Sequence, residues 1–139
     1  MEKNNLSISE KIYHISNLQQ EYISERFKKL HLNSQQSRCI NFIHEHPGAI
    51  QKDIAKYIGK SDATVTNILK PLEKKELIIR ETKKDNERQK NLYLTESGNK
   101  LAVEIGEIFE GMITLIEKDF SKNELKALSS FLDRIEKSF

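Results

Sequence analysis

A chain of 139 residues with 37% apolar content has room for one domain, and that modest apolar share leads us to expect some of its hydrophobic surface to be completed by a partner. Charged residues make up 32% of the chain but cancel to a formal +2, so bulk charge does not single out a polyanion as partner. The single cysteine, Cys39, excludes a disulfide-stapled scaffold; no apolar run approaches the roughly 18 residues of a membrane span, and MEKNNLSISEK has no signal-peptide core, so a cytoplasmic location is expected.

The first predicted element runs from Ile8 to Leu30. There Ile12, Ile15, Leu18, Tyr22, Ile23 and Phe27 recur mostly at intervals of three and four, the pattern of a long amphipathic helix. His31 to Asn33 interrupts it, and Asn33 or Ser34 can cap a second helix whose inward side is Cys39, Ile40, Phe42 and Ile43. HPG at 46–48 ends that helix, because proline lacks an amide donor and glycine supplies a flexible exit. A short helix follows over Ile50 to Ile58, closed by Gly59. Ser61 is suited to cap another that begins at Asp62, carrying Val65, Ile68, Leu69 and Leu72 inward and Thr64, Thr66, Asn67 and Lys70 outward. Two short helices joined by a tight turn, the second presenting small polar and basic groups, read as a helix-turn-helix.

Leu77 to Arg80 reads as a strand and Leu92 to Leu94 as its return, with Lys83 to Lys90 as a polar tip and Tyr93 alternating outward: a wing. Thr95 then caps a long helix bearing the stripe Leu101, Ile105, Ile108, Met112 and Leu115; Gly98 at the third position leaves the reciprocal half of a capping box missing. Ser121 with Glu124 completes such a box for a final helix, whose inner side is expected to be Leu125, Leu128, Phe131, Leu132 and Ile135. The expected fold is mainly α with a small β-hairpin: a winged helix-turn-helix over residues 33–98, with N- and C-terminal dimerisation helices in residues 1–32 and 99–139.

Charge is distributed unevenly. Residues 60–95 hold nine Lys or Arg against six Asp or Glu, which concentrates positive character on the helix-turn-helix and wing. On its own this is also what a solvated face looks like.

The run IQKDIAKYIGKSDATVTNILKPLEKKELIIR followed by DNERQKNLYLTESG resembles the MarR family of bacterial winged helix-turn-helix regulators, most specifically in VTNILKPLEKKELIIR joined to Arg88, Leu94, Thr95 and Gly98. The likeness covers nearly the whole chain in element order. It implies an obligate homodimer with interlocked terminal helices that reads a palindromic double-stranded DNA operator, with the helix from Ser61 to Lys74 in the major groove and Arg88 in the minor groove. It also implies a repressor relieved by a small phenolic or lipophilic compound or by an oxidant. Three positions depart from the family pattern. Asn86 stands where an Asp commonly supports the wing arginine, with Asp85 one place earlier, and a neutral amide supports a guanidinium less strongly than a carboxylate. Glu76 stands where Gly is frequent, so a positive φ there would be strained. Pro71 removes the bond back to Asn67 and is expected to loosen or end the reading helix early.

The candidate DNA contacts are Ser61, Thr64, Thr66, Asn67 and Lys70 on the helix and Lys83, Lys84, Arg88 and Lys90 on the wing, with Asp85 and Asn86 as wing support. Hydroxyls reach bases or phosphates, Asn67 can offer donor and acceptor to adenine, and arginine's planar head suits a narrow minor groove. The competing readings are local: Ser61 as an N-cap, Thr66 or Asn67 bonded to nearby backbone, and Arg88 paired with Asp85 or Glu87. Ile12, Ile15, Leu18, Phe120, Leu125, Leu128, Phe131, Ile135 and Phe139 are the candidate dimerisation residues, against the alternative of internal packing. Tyr13, Tyr22, Phe42, Phe109 and Met112 are candidates for an aromatic or lipophilic effector, though each also has a core or interface explanation.

No metal or cofactor is expected, since the four histidines lack a completing carboxylate or cysteine set. Cys39, beside Ile40 on the second helix, reads as packing rather than as a thiol switch. No nucleophile motif, phosphate loop or acid pair points to an enzyme. The alternative function is a winged-helix module for protein association without sequence-specific DNA binding.

Overall fold

The computed structural model describes residues 5–83 and 86–139, without the side chains at positions 83 and 86–88. Among the described residues the elements follow in the order α1 (Ile8–Lys28), α2 (Ser34–Glu45), β1 (Ala49–Ile50), α3 (Gln51–Ile58), α4 (Asp62–Lys74), β2 (Ile78–Lys83), β3 (Asn86–Leu94), α5 (Glu96–Glu117) and α6 (Lys122–Glu136).

Helix starts are set by local side-chain chemistry. Ser7, Ser61, Thr95 and Ser121 each accept the N–H three residues on, satisfying a donor that the first turn leaves without a helical partner. Of the two candidates for α2, Asn33 is the cap: its side chain accepts the Gln36 N–H at 2.8 Å and Gln36 returns an acceptor to the Asn33 N–H at 3.0 Å. Gly59 ends α3 at φ 73°, a left-handed conformation that glycine adopts without a Cβ clash.

The core gathers Ile23 and Phe27 from α1, Ile40 and Ile43 from α2, Ile54 from α3, Val65, Leu69 and Leu72 from α4, Leu92 from β3 and Ile105 from α5. Cys39 and Ser37 are buried with them; the Ser37 hydroxyl is satisfied by donating to the Asn33 carbonyl at 2.9 Å. The three strands form an antiparallel sheet in the order β1-β3-β2, with Ala49 opposite Leu92 and Arg80 also opposite Leu92.

Four expectations need correction. The segment Ala49–Ile50 forms a short strand that the sequence pattern did not reveal, because two residues carry no period. The hairpin strands reach well into the charged stretch read as a tip, pairing Glu81 with Asn91 and Thr82 with Lys90. A ribbon wet on both faces needs no apolar alternation, so the hydrophobic pattern understates its length. Helix α4 runs through Pro71 to Lys74 rather than stopping early. Pro71 is exposed while Ile68, Leu69 and Leu72 are buried, so packing holds the turn that proline's missing donor weakens. Finally, α6 buries none of its residues in this chain: Leu128, Phe131, Leu132 and Ile135 are exposed and Leu125 is half-buried, as Leu115 on α5 is exposed too.

Candidate nucleic-acid interface

The amphipathic order of α4 decides which of its side chains face water. Val65, Ile68, Leu69 and Leu72 go inward, leaving Ser61, Asn67 and Lys70 exposed and Thr64 and Thr66 half-buried. Ser61 does the capping work read from its position: its Oγ accepts the Thr64 N–H at 3.2 Å and lies 3.0 Å from the Thr64 hydroxyl. Ser61 and Thr64 therefore form one polar pair at the helix N-terminus, where free amides and the positive end of the helix dipole favour an anion.

Thr66 is committed locally. Its hydroxyl donates to the Asp62 carbonyl at 2.9 Å and accepts from Gln51 Nε2 at 2.7 Å. The remaining outward-facing reading groups on α4 are Asn67 and Lys70, both exposed and, among the described residues, without a local hydrogen bond that would compete with a base or a phosphate.

Beside the start of α4 lies a groove of about 480 Å³, lined by Ile50, Gln51, Lys52, Asp62, Arg80, Gln89 and Lys90. Lys90 on β3 and Asp62 on α4 both line it, so the wing and the first turn of the reading helix border the same space. Arg80 donates through Nε to Glu73 Oε1 and through Nη1 to Gln51 Oε1 at 2.9 Å. Lys84 and Asp85 lie outside the described residues, as do the side chains of Lys83, Asn86 and Arg88.

The wing is fastened to the rest of the chain at its root. Thr95 N–H donates to the Leu77 carbonyl at 3.1 Å, and the Thr95 hydroxyl donates to the Glu76 carbonyl at 2.7 Å. Glu76 itself sits at φ 58°, so the positive φ anticipated at this position is present with a side chain that disfavours it. Asn91, buried between the strands, donates to the Gly48 carbonyl at 2.7 Å and ties β3 to the turn before β1.

The candidate dimerisation residues are on the surface of the single chain. Ile12, Ile15 and Leu18 on α1 and Phe120, Leu128, Phe131, Ile135 and Phe139 at the C-terminal end are all exposed, Phe131 by 55% and Phe139 completely. The five candidate effector residues are spread out. Tyr13 lines a groove on the first turns of α1, and Phe42 lines another with His46 and Tyr57, its ring stacked 4.9 Å from that of Tyr57. Tyr22, Phe109 and Met112 pack at the junction of α1 and α5, where Phe109 meets Phe27 edge-on at 5.3 Å and the Arg26 guanidinium covers the Tyr22 ring at 3.4 Å.

Burial pushes the Cys39 thiol up to about 12, which keeps it protonated and unreactive in the folded chain at neutral pH. Among the described residues, no group of three His, Cys, Asp or Glu side chains is gathered to hold a metal ion, and no helix is long and apolar enough to cross a membrane.

Sequence reading missed Gln51, Glu73 and Arg80 as partners. Gln51 looks like an ordinary first residue of a helix and Arg80 like the end of a strand, and their meeting depends on tertiary placement that no local pattern encodes.

The architecture has counterparts. A model of the MarR family matches residues 32–90. An uncharacterized HTH-type transcriptional regulator, YybA of Bacillus subtilis (strain 168), is 29% identical over 112 residues, covering 81% of this chain and 75% of that protein. The crystal structure of the Staphylococcus aureus MepR–DNA complex is 27% identical and superposes with a TM-score of 0.90 over 97% of this chain and 100% of the other. A second structure of MepR, described as a transcription regulator of the multidrug efflux pump MepA, gives 0.72 at the same identity, over 96% of this chain and 98% of that one. The MarR family model thus covers the winged domain of this chain, and the whole fold is shared with a DNA-bound transcription regulator.

Proposed function

We propose that the chain is a homodimeric, sequence-specific double-stranded DNA-binding transcriptional regulator, acting as a repressor that a small ligand relieves. MarR-family regulators are typically dimeric DNA-binding repressors and are not enzymes. The observation that carries the reading is the pairing of two unsatisfied surfaces on one chain. Asn67 and Lys70 are exposed on α4, whose first residue Asp62 lines a groove with Lys90 of the wing, and among the described residues nothing covers Ile12, Ile15 and Leu18 of α1 or Leu128, Phe131 and Ile135 of α6. A twofold assembly through residues 1–32 and 99–139 would cover the second surface and present two copies of the first, carried by residues 33–98, to a palindrome. The closer likeness to the DNA-bound relative than to the second structure of that protein supports a DNA-competent arrangement.

In this reading Ser61 and Thr64 meet phosphate at the N-terminus of α4, Asn67 and Lys70 face base edges, Arg88 enters the minor groove, and Lys83, Lys84 and Lys90 neutralise phosphates. Asp85 and Asn86 support the wing arginine. Thr66, committed to Gln51 and Asp62, acts by holding the helix rather than by touching DNA. A small aromatic or lipophilic effector would relieve repression only by binding DNA-competent and DNA-incompetent dimers unequally. Tyr22, Phe109 and Met112, at the α1–α5 junction, are better placed to feel such a change than the outlying Tyr13 and Phe42.

Selection of genomic fragments by the purified protein, followed by footprinting and salt titration of the recovered duplex, tests the proposal. A symmetric protected site with a steep negative dependence of log K on log salt is expected. Binding without sequence preference, or none, would favour a protein-association module instead.

A further inference from the structure

We infer that Gln51 and Arg80 are positioning residues that fix the angle of α4 against the rest of the winged domain, so that Asn67 and Lys70 reach DNA in one orientation. The inference rests on the DNA reading above for its consequence, but its physical content lies in the free protein.

The hydrogen bonds form a closed circuit. Glu73 on α4 accepts from Arg80 Nε on β2; Arg80 Nη1 donates to Gln51 Oε1 on α3 at 2.9 Å; Gln51 Nε2 donates back to α4, to Thr66 Oγ1 at 2.7 Å and to the Asp62 carbonyl at 3.0 Å. The carboxamide of Gln51 has one sensible orientation here. Turned over, its NH₂ would face a guanidinium, which has no acceptor, and its oxygen would face a carbonyl oxygen.

The circuit begins and ends on the same helix. Asp62 and Glu73 are eleven positions apart on α4, a rise of roughly 16 Å, so two different elements grip the helix at separated points. Asn67 lies between the grips. Val65, Ile68, Leu69 and Leu72 hold α4 to the core, but apolar packing is non-directional and tolerates small changes of roll and tilt. Hydrogen bonds are directional, and base reading needs side chains within about 10–20° of the productive geometry. Apolar contacts therefore keep the helix attached while the circuit sets its aim. Arg80 has a side-chain exposure of only 20%, which suits a brace more than a mobile phosphate contact.

The test uses the full-length chain carrying Gln51→Met, a near-isosteric change that removes the polar links, with Thr66→Val alone and combined with it, and Arg80→Lys. Amide hydrogen exchange of the free protein comes first. Faster exchange across residues 65–69, with the amides of α2 unchanged, is expected. With DNA, Gln51→Met is expected to lower affinity for the selected duplex by roughly tenfold more than for a scrambled one, the equivalent of about 1.4 kcal/mol of lost discrimination. The salt slope is expected to stay the same. The double variant should be no worse than Gln51→Met alone, because both changes cut one link. Unchanged exchange at 65–69 would overturn the inference whatever the DNA result. So would an equal loss on both duplexes, which would mean a lost sequence-independent contact. If the parent protein prefers no duplex, the DNA reading fails by itself, and the exchange measurement still decides whether the circuit holds α4.

Discussion

The Thr95 hydroxyl donates to the Glu76 carbonyl while accepting the Gly98 N–H at 3.0 Å, so one side chain both caps α5 and pins the root of the wing. Gly98 is part of the same joint, since a Cβ there would lie 2.1 Å from the Leu77 carbonyl oxygen, a backbone atom that cannot swing aside. Gly98→Ala is expected to destabilise the chain by about 2 kcal/mol through forced backbone displacement. Urea unfolding at fixed protein concentration measures it, and a neutral result would mean the joint yields freely.

Glu76 should respond in the opposite direction. At φ 58° a side chain carries a penalty of about 1–2 kcal/mol, and glycine would remove it at the cost of a more flexible unfolded chain. Glu76→Gly is expected to be net stabilising, by about 0.5 kcal/mol. A lower denaturation midpoint would show that the Glu76 side chain supplies something the backbone geometry does not reveal.

Cys39 makes a prediction about alkaline pH. An unfolded thiol ionises near 8.5, whereas the buried one holds its proton to about 12. Above roughly 8.5 the unfolded state therefore loses its proton first, and stability drains away by up to about 1.4 kcal/mol per pH unit as pH rises toward the folded value. Below that window the thiol contributes nothing that varies with pH. The difference in melting temperature between the parent and Cys39→Ala should shift in favour of the variant from pH 8 to pH 10. Thiol labelling of the folded parent at neutral pH should be slow, and fast once urea is added.

Phe131 tests the assembly. Replacing this exposed ring with a charge, Phe131→Asp, should leave the winged domain folded while moving the sedimentation profile from dimer to monomer, and duplex binding should fall with it. Ile15→Glu on α1 should do the same if both terminal helices share the interface. A dimer that tolerates both changes would place the contact elsewhere.

Arg88 and Asn67 should fail differently on DNA. Arg88→Ala should weaken binding to the selected duplex and lower the salt slope by about one unit, the mark of a lost cationic contact. Asn67→Ala should leave the slope alone and cost about 1–3 kcal/mol of discrimination at a single base position. Equal, slope-preserving losses from both would remove the groove assignments.

What the sequence disclosed, it disclosed locally. Ser61, Thr95 and Ser121 could be read as caps because a cap and its amide lie three residues apart, and the inward face of α4 could be read because its spacing repeats. The longer hairpin was hidden because Glu81, Thr82 and Lys90 are polar on both faces. Gln51 and Arg80 were hidden for a different reason: their bond spans 29 positions and depends on how β2 lies against α3. The apolar face of α6 was legible, but its destination was not, since an amphipathic helix looks the same whether its complement comes from its own chain or from another.

That last helix sets a condition on the whole protein. Fifteen residues with no buried side chain make a marginal helix in water on their own. If a second copy supplies the missing contacts, dilution would not merely separate two subunits; it would melt their tails as well. Reassociation would then have to restore order to those tails, making operator occupancy rise more steeply with cellular abundance than simple one-to-one binding allows.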